Sequence, residues 1–194
     1  MNSLEHLRRM ARYSRWMNEK VYAAAGGLSS DRLAEEGAAG PGAAAAIRSG
    51  AFGARPASSV LALLNQQVTT DILWLQRIAG EPGRWPALDP VLKLRQSSLP
   101  GQLLYTQLDR LSQFRHLLDQ TVIRWINALT MDDLNVPVAW DEPPAGARRE
   151  SLELVLDNLF SGQQFLFGQA AMRLGQFGLD IGDSSLLAML QQSR

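Results

Sequence analysis

Few side chains in this sequence are equipped for chemistry, and those few are arranged poorly for it. There are two histidines, His6 and His116, and no cysteine, which excludes disulfides, thiolate nucleophiles and zinc–thiolate sites. His6 stands in a charged first turn beside Glu5 and reads as exposed. His116 has Arg115 beside it and Asp119 three positions on, the pattern of a solvated, hydrogen-bonded histidine. Glu150, Glu153 and Asp157 share a face at the start of a helical run. Negative charge there complements the helix dipole, which accounts for them better than a hard-cation site does. Serines abound, but none sits in a G-x-S-x-G elbow. The glycine-rich stretch from Gly37 to Ser59 lacks the Lys-Ser/Thr ending of a phosphate-binding loop and reads as a connector with one short helical patch.

The elements that must position any site are helices. Leu4, Leu7, Ala11, Met17, Val21 and Ala24 recur at helical spacing behind a capping Ser3, and Gly26-Gly27 marks the stop. Ser29-Ser30-Asp31 opens a short turn or helix. Ser58 or Ser59 caps a second long helix through Val60, Leu64, Val68, Ile72, Leu75 and Ile78, closed by Gly80. A third begins around Pro100 and carries Leu104, Leu108, Leu111, Leu118, Val122, Trp125 and Leu129. Thr130 to Asp133 resembles a cap for one further turn. Val136 to Trp140, broken by Pro137, reads as an edge strand or extended loop, followed by a turn at Pro143 to Gly146. A fourth long helix runs from about Ser151 through Leu174 to Gly175 and Gly178, and a last short one starts near Asp183 or Ser184. Four long helices with one apolar stripe each must bury those stripes together, so the expected fold is an all-α four-helix bundle with a long connection between the first two helices. It is expected to be a single domain over residues 1–194, with residues 37–57 as a Gly/Ala-rich connector.

The formal net charge is zero, with no basic run to neutralise phosphates, so neither nucleic acid nor a membrane surface is an expected partner. No apolar segment is long enough to span a bilayer and no signal core opens the chain, which makes the cytoplasm the expected location.

In order along the chain, four segments match a known pattern. Tyr13 to Tyr22 reads Y-S-R-W-M-N-E-K-V-Y, Leu64 to Leu75 reads L-N-Q-Q-V-T-T-D-I-L-W-L, Leu159 to Gln169 reads L-F-S-G-Q-Q-F-L-F-G-Q, and the chain closes with L-G-Q-F-G-L-D-I-G-D-S-S-L-L-A-M-L. Together they resemble the DinB (damage-inducible, YfiT-like) superfamily of four-helix bundles. In metal-bearing members one histidine from the second long helix and two from the fourth, spaced i and i+4, hold a divalent ion. The resemblance places those ligands at Gln66, Gly162 and Leu166. An amide, a bare backbone and a hydrocarbon offer no imidazole or thiolate to a borderline metal, so the expectation is that no metal and no cofactor is bound. The family's arginine beside the last histidine is Phe167 here, and an extra histidine is Phe165. Asp71, Phe165 and Gln169 are the residues expected to line whatever remains of the pocket, and Asp71 and Trp74 match the family's D-x-x-W.

The resemblance thus implies a metal-free member acting as a binding or interaction module, with an unidentified small molecule as one class of ligand. A diverged thiol-dependent transferase or isomerase, using a pocket between the second and fourth helices, is the alternative. A stress-response protein with no small-molecule site is a third reading that sequence does not separate from the first. A homodimer is expected, because related bundles pair through helix faces and Trp16, Trp85, Trp125 and Trp140 look more than one bundle can bury.

Overall fold

The computed structural model describes residues 2–36, 59–94, 103–142 and 146–192. Within them the chain is mostly helical with one small two-stranded sheet. The elements in order are α1 (Ser3–Ala25), α2 (Ser30–Ala34), α3 (Val60–Ala79), α4 (Asp89–Leu92), α5 (Leu108–Ala128), β1 (Pro137–Glu142), β2 (Gly146–Ser151), α6 (Leu152–Gln176) and α7 (Leu186–Gln192), with short 3-10 turns at Pro86–Leu88 and Asp132–Asn135. The Gly/Ala connector and Pro100 lie outside the described residues.

Helix ends follow local capping chemistry. Ser59 and Ser151 accept hydrogen bonds from the backbone N–H of Ala62 and Leu154, satisfying donors that a first turn leaves free. At α1 the capping side chain is Asn2, one residue earlier than the sequence suggested. Chain reversal at the end of α3 falls on Gly80 with φ +64°, a conformation that costs a residue with a Cβ. After Leu129, Thr130 and Asp133 bond reciprocally, which sets up the 3-10 turn.

One long helix is shorter than expected. The third long helix starts at Leu108, so Leu104 precedes it. The buried Asn65 side chain holds the backbone of Tyr105 in both directions: its Nδ2 donates to the Tyr105 carbonyl at 3.0 Å, and the Tyr105 N–H donates to its Oδ1 at 2.9 Å. That clamp occupies peptide groups that a longer helix would need for itself. The extended stretch around Trp140 is one arm of an antiparallel hairpin with Pro137 opposite Ser151. Proline sits at the first residue of β1, where its missing N–H interrupts little of the ladder.

One continuous core runs from Leu4 to Met189. α1 packs between α5 and α6, and α3 packs against α6 and α5, so the four long helices close around a common interior. The tryptophans are absorbed into it: Trp125 is 2 % exposed, Trp85 meets it edge-on with centroids 5.9 Å apart, and Trp74 meets Trp140 edge-on at 5.3 Å. Trp16 lies beside Tyr13. The bulky residues expected to be left over are therefore not the exposed ones.

Candidate functional site

Each long helix brings polar side chains to the middle of the apolar interior. On α5, Arg115 and Asp119 fall on the seam drawn by Leu111, Leu118 and Val122, so they point inward although both carry charge. Gln67 and Asp71 lie on the seam of α3, Ser14 and Asn18 on that of α1, and Gln163 on that of α6; all are buried.

These side chains form one network. Arg115 donates from Nη1 to Asp71 Oδ2 at 2.5 Å and from Nη2 to Asp119 Oδ1 at 2.7 Å. Asn18 Nδ2 donates to both oxygens of Asp119, at 3.0 and 3.1 Å, and its own carbonyl accepts from Gln67 Nε2 at 2.9 Å. Gln163 Nε2 donates to Asp71 Oδ2 at 2.8 Å, while its carbonyl accepts from the Ser14 hydroxyl. All four long helices are thereby tied together through hydrogen bonds in a setting where an unpaired polar group would be costly.

The charges do not balance: two carboxylates face one guanidinium. Burial pushes the Asp71 carboxyl above its ordinary value, with Arg115 and Gln163 pulling the other way. Asp119 is likewise raised by burial, against Arg115, with Asp71 adding to the rise. Burial alone would lower the Arg115 guanidinium, but Asp119 and Asp71 outweigh it and hold the proton more firmly than usual. The Tyr22 phenol, in range of all three, is pushed up by burial. Asp71 Oδ1, Arg115 Nε and the Tyr22 hydroxyl have no hydrogen-bond partner. Asp71 Oδ1 is thus the free carboxylate oxygen that can carry a proton when the pair is neutralised.

The sequence-expected residues take different places. Asp71 belongs to this network. Leu166 is 2 % exposed and Gly162 is buried in the packing of α6. Gln66 is half-buried beside the network, its Oε1 enclosed without a partner, and Gln169 is half-buried. Phe165 faces outward at 53 % exposure, so it does not fill the space at Gly162; the neighbouring Phe167 is the ring that turns inward. His116 is exposed and pairs with Gln120 at 2.8 Å, not with Asp119, which the network claims.

The side chains at the positions where the resemblance expects metal ligands do not fit a transition metal. One amide oxygen, on Gln66, is all that Gln66, Gly162 and Leu166 can offer from their side chains. Among the described residues, no group of three His, Cys, Asp or Glu side chains converges to hold an ion. No helix among them is long and apolar enough to cross a membrane. A scan of protein-family models finds none that matches the chain, and a search of curated proteins finds no match.

In the sequence Ser14, Asn18, Gln67, Arg115, Asp119 and Gln163 do not stand out as a set. A signal was present: each stands at a core position of its helix, where a polar residue needs a partner.

Proposed function

We propose that this protein is a metal-free helical bundle of the DinB type that works as an interaction module in the cytoplasm, assembling as a homodimer. The observation that carries the reading is the fate of the bundle interior. Its polar side chains bind one another across four helices, leaving Asp71 Oδ1, Arg115 Nε and the Tyr22 hydroxyl as the network's unpaired groups, and Leu166 and Gly162, at positions the resemblance gives to metal ligands, are both buried. An enzyme of the thiol-dependent kind would need an electrophilic centre where the family has its ion, and these side chains supply none.

Metal analysis of protein purified without an affinity tag tests this. The expected result is no stoichiometric zinc, nickel or other transition metal. A stoichiometric ion that disappears in a Gln66→Ala variant would refute it.

A further inference from the structure

Resting on the interaction-module reading, we propose that the outward face of α6 is where two copies of this chain pair, antiparallel, about a two-fold axis level with position 163. Because α6 packs between α1 and α3, one stripe of it is left facing away from the core: Leu154, Asn158, Ser161, Phe165, Gly168 and Met172, all exposed. These positions alternate steps of four and three, so they lie on one helix face. Leu154, Phe165 and Met172 are among the large apolar side chains most exposed on the described residues, Met172 at 66 %.

The stripe is also free of charge. α6 carries no Asp, Glu, Lys or Arg between Asp157 and Arg173, although charged residues make up 20 % of the chain. A helix face that stays in water normally carries charge. Exposed Phe, Met and Leu without it mark the centre of a contact.

The pattern itself selects a second copy as the occupant. A two-fold contact must be complementary to itself, and the spacing of this stripe, though not its residue types, is the same from both ends. Leu154 and Met172, Asn158 and Gly168, and Ser161 and Phe165 are each placed symmetrically about position 163. Antiparallel pairing brings Leu154 level with the partner's Met172. It sets Phe165 level with the partner's Ser161, a large side chain passing a small one. Asn158 comes level with the partner's Gly168, where the space a Cβ would occupy has nothing within 4 Å. Charge fixes the direction. The acids of α6, Glu153 and Asp157, sit towards its start and its one base, Arg173, in its last turn. Arg173 is engaged with Glu35 and Gln176 of its own chain, so direction rests on the acids and the dipoles: antiparallel copies keep the two acidic ends apart and oppose their helix dipoles. Parallel copies would set acid against acid. The stripe is about 27 Å long at about 1.5 Å per residue, a modest contact, so the dimer dissociates on dilution.

Sedimentation velocity over a concentration series, combined with single-cysteine cross-linking, tests the proposal. The natural absence of cysteine makes each introduced thiol unique. The wild-type chain should show a concentration-dependent dimer that Phe165→Glu abolishes and Leu117→Glu, at an exposed site on α5, leaves intact. Under oxidation a mixture of Leu154→Cys and Met172→Cys proteins should give the mixed dimer in excess over either self-linked one. A wild-type chain that stays monomeric, a dimer indifferent to Phe165→Glu, or self-linking of Leu154→Cys in preference to the mixed product would each overturn it. A monomeric chain would also remove the homodimer from the proposed function, whereas a dimer indifferent to Phe165→Glu would overturn the α6 face alone; neither result bears on the metal content, which tests the metal-free reading by itself.

Discussion

Arg115 is the residue on which the interior depends. It is 2 % exposed and bridges two carboxylates on different helices. Removing one member of a buried charged set leaves the others without compensation, at a cost of about 3–5 kcal/mol. Arg115→Met should therefore lose stability on that scale near neutral pH, read by denaturant unfolding, and lose less in acid, where the aspartates protonate. Asp71 supplies the complementary test. Its pKa is raised in the folded chain, so the folded state retains a proton that the unfolded chain releases. The stability it contributes is full below the ordinary aspartate value of 3.8 and is lost as pH rises through the folded pKa. Asp71→Asn mimics the protonated acid at every pH. The variant should match the wild-type chain in acid and gain on it as pH approaches neutrality; a stability difference that does not change with pH, or changes in the opposite sense, would contradict this assignment.

At the scale of elements, most boundaries were legible because single residues set them. Ser59, Gly80 and Ser151 cap or stop their helices by local chemistry that a sequence displays. The start of α5 was not legible. Leu104 keeps the apolar spacing of the helix behind it, and the Asn65 clamp, reaching across 40 positions of chain, engages both peptide groups of Tyr105. The network was hidden for a related reason: a lone Gln or Asn on a seam reads as an interruption until its partner on another helix is known. Only Asp71 was singled out beforehand, through the resemblance. The clamp makes its own prediction. Asn65→Ala should leave the Tyr105 N–H and carbonyl without those partners, cost about 1–3 kcal/mol, and speed hydrogen exchange at the Tyr105 amide while leaving amides in the middle of α1 protected. Unchanged exchange at Tyr105 would show that the clamp is dispensable.

For the whole molecule, the same four helices serve two purposes that divide inside from outside. Inward-facing polar residues are spent on one another and fix how the helices sit, and the two α6 positions that the resemblance gives to metal ligands, Gly162 and Leu166, are buried. Outward, α6 keeps an apolar stripe that the described residues leave exposed. The central claim is that a metal-binding scaffold is present with its ligands gone, and restoring them tests it most directly. In the triple variant Gln66→His, Gly162→His, Leu166→His, positions 162 and 166 share a face of α6 and α3 would provide the third imidazole. Phe165 faces outward and does not stand in the way. Phe167 and the packing around Leu166 resist the larger rings, with overpacking costing about 1–3 kcal/mol. The measurement is a calorimetric zinc titration of the triple variant beside the natural chain. The account predicts weak one-to-one binding by the folded variant and none by the natural chain. A folded variant that takes up no zinc at micromolar concentration, or a natural chain that binds it as well, would contradict it.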